Sequence, residues 1–327
     1  MELVVSQSRT AYFYAQKGGI CIAQSVSPLA WTGNKACIYY TIEAFMPPHR
    51  VYIEPCMGSA EVFFRKKPAE KEILNDYNGD LVNFFRILQD GDKLAFLLGR
   101  LCLSWTAESV FQRNKAILAA EPNVLDEALT TAKIIRKASW RDVRLAAAFL
   151  ENQVYSFSST GQSFAIAKRD MTHRLPRLLA AAARLRDAVI LHRDYKEAIR
   201  IGACEDCFIL LDPPYRGTER MYRKTDFDPE EHEKLFAFMS QIHKEYAGKC
   251  KFLITYNNDP YIRSLSEKYH FFSYVQRRIH NMQQVTAPGA LFEELLIGNY
   301  DLVAQARENH RQLAEEKRQL SLFDLEE

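Results

Sequence analysis

Short apolar runs bounded by polar or turn-forming residues occupy positions 51–55, 72–74, 188–192, 207–211, 250–256 and 292–299. Runs this short with such boundaries predict buried β-strands. Between several of them apolar residues recur at helical spacing, as over 79–90 and 229–246. The second stretch carries its own start signal: Asp228 can cap it, Pro229 suits its first turn, and Glu231 completes a capping box. Alternating strands and helices predict an open, doubly wound α/β sheet with helices on both faces. From about residue 91 to 150 the pattern becomes Leu/Ala-rich and helical, without strand signals. Residues 156–162 then read as a turn-rich tip, of the kind that ends a hairpin. Residues 91–185 are therefore expected to form a mainly helical insertion between two halves of the sheet, residues 1–90 and 186–305.

Length supports this division, since 327 residues are many for one ordinary core. No apolar run approaches membrane-spanning length, and no charged region leads into an apolar one at the N-terminus. Seven cysteines are scattered along the chain rather than paired in a framework, which points to a reduced, cytoplasmic setting. Cys204 and Cys207 have no second pair at zinc spacing and run into an apolar stretch, so buried thiols are expected and no metal site. The net charge of +2 is uninformative, but its distribution is not. Between Arg100 and Arg200 there are 17 Lys/Arg against 10 Asp/Glu, whereas from Asp301 onward there are 4 against 7. A basic middle suits a surface that tracks phosphates.

The sharpest chemical signal is Asp212-Pro213-Pro214-Tyr215, which follows the apolar run 207–211. In open α/β sheets, ligands bind just beyond the carboxyl ends of the strands. An aromatic exocyclic amine such as adenine N6 is a poor nucleophile, because its lone pair is delocalised into the ring. A carboxylate at Asp212 and the Pro213 carbonyl can accept both amine hydrogens and stabilise charge developing on nitrogen. The two prolines stiffen the turn, and Tyr215 offers a flat face for an extruded base. A second constellation lies upstream. The run 51–55 leads into Cys56-Met57-Gly58-Ser59-Ala60, where glycine permits close approach of a nucleoside. One strand later, Asp76 follows Ile73-Leu74-Asn75, placed to hold a ribose diol.

In these segments, together with Pro28 to Lys35 and Asn75 to Leu81, the chain resembles the Dam-type DNA-adenine methyltransferases. Residues 252–258 and 294–300 are similar to later strands of that family's fold. The resemblance covers about 28–90 and 185–302 and implies an S-adenosylmethionine-dependent methyltransferase sheet. It implies cofactor contacts from Trp31, Lys35, Glu54, Pro55, Gly58 and Ser59, with Asp76 at the ribose and Asp194 and Tyr195 at the cofactor's adenine. Catalysis would fall to Asp212, Pro213, Pro214 and Tyr215. The insertion would be the target-recognition domain, gripping double-stranded DNA through Ser158, Ser159, Thr160, Gln162, Lys168 and Arg169. Three departures stand out: Asn34 and Ala60 occupy positions where the family usually has glycine, and Cys56 one where it usually has phenylalanine. Ala60 at a helix start is expected to be tolerated without a positive φ.

The expected reaction is methyl transfer from S-adenosylmethionine to N6 of a flipped-out adenine, in a solitary or restriction-linked bacterial or phage enzyme acting at the nucleoid. The alternatives are a methyltransferase acting on cytosine N4 or on RNA, and a catalytically silent DNA-binding regulator. Residues 216–228, rich in Arg and Lys, are a candidate lid. After Tyr300 a helix-prone segment runs through Arg318. In the tail, residues 306–327, Gln319, Leu320, Leu322 and Phe323 resemble the short peptide by which bacterial proteins dock on the replicative sliding clamp. A latch folding back on the chain's own surface is the other expectation there.

Overall fold

A computed structural model describes residues 25–120, 140–159, 161–166, 170–218, 227–279 and 291–323. After a 3-10 turn at Ala36–Ile38, the first half comprises α1 (Tyr39–Phe45), β1 (Val51–Glu54), α2 (Glu61–Arg65), β2 (Lys71–Asn75) and α3 (Gly79–Gln89). Four helices follow, α4 (Gly91–Cys102), α5 (Glu108–Ala119), α6 (Trp140–Tyr155) and α7 (Leu175–Leu185). The second half comprises β3 (Val189–Leu191), α8 (Tyr195–Gly202), β4 (Cys207–Leu211), α9 (Glu231–Glu245), β5 (Lys251–Asn257) and α10 (Pro260–Lys268). It ends with β6 (Phe272–Ile279), β7 (Leu291–Gly298) and α11 (Leu302–Phe323).

The seven strands form one sheet in the order β3-β2-β1-β4-β5-β7-β6. The first five are parallel, and β7 runs antiparallel between β5 and β6. From β1 the chain winds outward to β2 and β3, then returns to lay β4 and β5 on the other side. Strand order thus reverses between β1 and β4, and their carboxyl ends open a crevice. All five residues of β4 are buried, because helices cover both faces there. Phe208 and Leu210 join the apolar cluster with α1, α3 and α11, while Ile209 and Leu211 join the one with α8, α9 and α10. That alternation is the period-2 geometry of a strand.

All six expected strands are present, and β6 is an addition. Its residues include Gln276, Arg277 and Arg278, so it lacks a continuous apolar run. An edge strand is paired on one side only, and charged residues there deter pairing with other chains. Helices α4 to α7 occupy the segment expected to be an insertion, but they share their apolar cluster with one face of the sheet. Phe84 of α3 meets Phe149 of α6 at 6.1 Å, and the Gln89 amide donates to the carbonyls of Leu185 and Ala188, each at 2.7 Å. The turn around residues 156–162 is hairpin-like: Ser156 bridges Phe164, and Ala165 N donates to the Tyr155 carbonyl at 2.8 Å.

Two local expectations need correction. Asp228 does accept from the Glu230 and Glu231 amides, at 2.9 and 2.8 Å, but Glu231 does not complete the box. Its carboxylate instead accepts from the Tyr195 hydroxyl at 2.9 Å and pairs with Lys196, since α8 lies within reach. The C-terminal residues Gln319 to Phe323 lie on the backbone of α11 rather than on a free tail. No Gly or Pro interrupts that stretch, and its residues are compatible with helix. Upstream, α11 is tied to α1, with the Asn309 amide donating to the carbonyls of Ala44 and Met46 at 2.8 Å each. Cys207 and Cys250 are buried, and among the described residues no cluster of His, Cys, Asp and Glu could hold a metal ion. No described helix is long and apolar enough to cross a membrane.

Candidate active site

The loops that follow β1, β2 and β3 are pinned by one side chain. Asn75, buried at the end of β2, donates to the Pro55 carbonyl at 2.8 Å and to the Arg193 carbonyl at 3.0 Å, and accepts from Arg193 N at 2.9 Å. Beside it, Asp76 accepts from Gly58 N and Asn78 N, each at 2.9 Å. Gly58 has φ +46°, and a Cβ there would come within 3.1 Å of the Trp31 indole nitrogen. Glycine is therefore required both by the backbone and by the neighbour. Ala60 adopts φ 53°, ψ 34°, contrary to the expectation of an ordinary helix start. The loop has to turn sharply so that Ala60 N can bond the Met57 carbonyl at 2.6 Å. Glu61 anchors the incoming chain by accepting from Ser25, from Val26 N at 3.0 Å and from Ser27 N at 3.2 Å. That anchor directs residues 31–35 over the crevice.

Asp212 emerges directly from β4. Its Oδ2 pairs with Lys35 Nζ at 2.5 Å, and its Oδ1 accepts from the Thr255 hydroxyl at 2.6 Å. Burial raises the Asp212 pKa and the Lys35 charge opposes that rise. Tyr215 is held from behind, its hydroxyl donating to Glu294 Oε2 at 2.7 Å. Glu294, on β7, is 2% exposed and its other oxygen is bridged by Arg278 at 2.8 Å. The Lys35 ammonium lies 5.2 Å from the centre of the Tyr215 ring.

These loops enclose a cavity of about 710 Å³. Trp31, Lys35, Glu54, Pro55, Gly58, Ser59, Asp76, Asp194, Tyr195, Asp212 and Pro214 all line it. Pro213 and Tyr215, in the same turn as Asp212, are not among the lining residues. Burial pushes the Glu54 carboxyl up to about 8 and Asp76 up to about 6, and the Asp212 charge adds to both. Burial likewise raises Asp194, whose side chain caps α8 by accepting from Lys196 N at 2.8 Å. Glu54, Asp76, Asp194 and Asp212 thus share one cavity, which Glu61, Asp80 and Glu231 and the cations Lys35, Lys115, Arg193 and Lys196 also line.

The opposite wall comes from the helical segment: Lys115, Leu118, Phe149, Asn152, Gln153, Gly161 and Gln162. Of the six residues expected to contact DNA, Gln162 lines the cavity and Ser159 has φ 53° in the hairpin-like turn. Thr160, Lys168, Arg169 and the Ser158 side chain lie outside the described residues, as does most of the candidate lid. Arg216, at the start of that lid, pairs with Asp259 at 3.0 Å. Sequence reasoning did not single out Asn75, Thr255, Glu294 or the Asn152–Gln153 pair. An acid inside the apolar run 292–299 was a usable signal for Glu294, since unpaired acids are rarely buried.

A model of the D12 class N6 adenine-specific DNA methyltransferases matches residues 31–284. The chain belongs to that family. The family match spans both walls of the cavity, from Trp31 through Asp212 to the end of β6. Among individual relatives, a DNA N-6-adenine-methyltransferase of Escherichia phage P1 is 28% identical over 252 residues, 72% of this chain and 30% of that protein. A type II methyltransferase of Lactococcus lactis subsp. cremoris is 34% identical over 61 residues, 18% of this chain and 21% of the relative. A DNA adenine methylase of Vibrio cholerae is 34% identical over 61 residues, 19% of this chain and 22% of the relative. The chain therefore matches less than a third of the length of each of these relatives.

Proposed function

We propose that this protein is a site-specific DNA methyltransferase that moves a methyl group from S-adenosylmethionine to N6 of adenine in double-stranded DNA. The observation that carries the reading is that Asp212 and Pro214 line the same cavity as the Gly58 loop and Asp76. Fit to the cofactor rests on the electrostatics. Acids raised mainly by burial, and further by the Asp212 charge, favour a cationic ligand, and glycine at 58 lets a nucleoside approach the loop closely. Asp76 would hold the ribose hydroxyls, Asp194 and Tyr195 the cofactor's adenine, and Trp31, Lys35, Glu54, Pro55 and Ser59 the remainder. When bound, S-adenosylmethionine supplies an electrophilic methyl group.

Asp212 and the Pro213 carbonyl would accept the two N6 hydrogens of an extruded adenine, localising its lone pair for attack. Formation of the N–C bond would be balanced by cleavage of the donor's S–CH3 bond, which leaves a neutral thioether, and the N6 proton would pass to the Asp212 carboxylate and from there to solvent. Pro214 keeps the turn rigid and Tyr215 stacks on the base. Lys35 opposes the effect of burial on Asp212 and orients its carboxylate until the amine arrives. Residues 91–185 serve as the target-recognition region, with Ser158, Ser159, Thr160, Gln162, Lys168 and Arg169 toward DNA. The protein would act in a bacterial or phage-infected cytoplasm, at the nucleoid.

Incubation with labelled S-adenosylmethionine and DNA or RNA, followed by mass analysis of nucleosides, tests the reading. N6-methyladenine in DNA is expected. Methylcytosine, or label in RNA alone, would move the acceptor, and no transfer at all would favour the silent regulator. Docking on a bacterial sliding clamp through Gln319, Leu320, Leu322 and Phe323 is retained as a proposal. Deleting residues 319–327 is expected to abolish clamp capture while methylation of short duplexes persists.

A further inference from the structure

Two side chains on the helical wall are left without full partners. Asn152 and Gln153, adjacent on α6, are 6% and 8% exposed, and both border the cavity. Asn152 Oδ1 and Gln153 Oε1 have no hydrogen-bond partner. The Asn152 Nδ2 donates to the Gly161 carbonyl at 3.4 Å, which orients the amide and leaves its oxygen unmatched. Buried amide oxygens without partners are costly and uncommon, so two together at a cavity wall point to a ligand that completes them.

The surroundings hold this pair in place. Gly161 has φ +69°, and a Cβ there would come within 2.8 Å of Asn152 Nδ2 and 3.4 Å of Gln153 Nε2. A side chain at 161 would strain the backbone and displace the Asn152 amide. One turn earlier on α6, Phe149 meets the Trp31 ring at 6.1 Å, and Trp31 lies against Gly58. The amides therefore line the same cavity as the Gly58 loop and adjoin it through Phe149 and Trp31. Neutral amide oxygens accept from N–H groups and offer nothing to an anion.

We propose that Asn152 and Gln153 form an acceptor subsite for an N–H donor of the bound ligand, either the methyl donor's α-ammonium or an exocyclic amine of an unpaired base. The inference rests on the methyl-transfer reading and assigns it a recognition element on the helical wall. Asn152→Leu and Gln153→Met keep shape while removing the acceptors. Calorimetry with S-adenosylhomocysteine, which keeps the amino-acid end, and with 5′-methylthioadenosine, which lacks it, separates the sources. For the ammonium, each variant is expected to bind S-adenosylhomocysteine about tenfold more weakly, with 5′-methylthioadenosine binding unchanged. For a base amine, both nucleosides bind normally and the KM for DNA rises by about the same factor. In either case the ligand-free melting temperature of Gln153→Met holds or rises, because an unsatisfied group has gone, whereas Asn152→Leu also gives up the bond to the Gly161 carbonyl. Unchanged affinities and KM, or a lower ligand-free melting temperature with every affinity reduced in proportion, would overturn the subsite. Wild-type protein that binds neither nucleoside would instead sink the methyl-transfer reading, and the subsite with it.

Discussion

The sheet-edge wall of the cavity carries Glu54, Asp76, Asp194 and Asp212, whereas the helical wall carries Lys115, Asn152, Gln153 and Gln162. On the first, each acid lies within three residues of a strand's carboxyl end, so strand register alone brings them together. Their burial is a standing electrostatic strain that a cation relieves. On the second, neutral amides are brought to the cavity by the packing of α5, α6 and the Gly161 turn. The difference teaches how each wall is assembled: acids placed by strand ends on one side and, on the other, two neutral amides beside Lys115, placed by helix packing.

The harshest way to break that division is Asp212→Ala. Methyl transfer is expected to fall on the order of a hundredfold or more, as for loss of a preorganised group facing developing charge. Cofactor affinity should hold largely intact, and calorimetry beside a single-turnover assay reads both. Near-normal turnover would remove Asp212 from the reaction. Asp76→Ala should strike binding instead, weakening S-adenosylmethionine by roughly 1.5–3 kcal/mol through loss of a charged hydrogen bond. An unchanged calorimetric isotherm would take Asp76 off the ribose.

Glu294→Ala tests the brace behind the sheet-edge wall. Tyr215 loses its partner and the half-buried Arg278 loses the carboxylate it bridges, so kcat should drop about tenfold. Glu294→Gln, which still accepts from the Tyr215 hydroxyl, should recover most of that loss. A kcat insensitive to both changes would make the brace irrelevant to the reaction. Stability against pH sharpens the electrostatic claim. The Glu54 carboxyl is raised from 4.5 to about 8, so the folded state favours its protonated form. That contribution is complete below 4.5 and lost as pH rises through about 8. Melting temperature of the ligand-free protein should therefore decline across this window, and Glu54→Gln should flatten the decline. The smallest effect is expected from Ala60→Gly. Relief of the left-handed conformation, about 1 kcal/mol, is offset by the lost contacts of a buried methyl, about 0.8 kcal/mol. Its melting temperature should stay within about 2 °C of the parent, and a larger fall would show that the methyl packs better than its backbone suggests.

Much of the sheet was legible because buried parallel strands announce themselves as short apolar runs. The residues after them, Asp76 and Asp212, could be placed from sequence neighbours alone. Strand β6 escaped because an edge strand alternates with charges such as Arg277 and Arg278. The left-handed Ala60 was not visible either, since alanine ordinarily favours the right-handed region and the surrounding loop overrides that preference.

By itself, the sequence determined the alternation of strands and helices, the rigid Asp212–Tyr215 turn and the glycine at 58, because each depends on residues close together in the chain. Only the tertiary structure decided which distant groups meet: Asn75 across three loops, Glu294 behind Tyr215, and Asn152 and Gln153 opposite the acids. Those meetings depend on strand order and helix packing, in which a residue's partner is chosen by the shape of the whole core rather than by its neighbours in sequence.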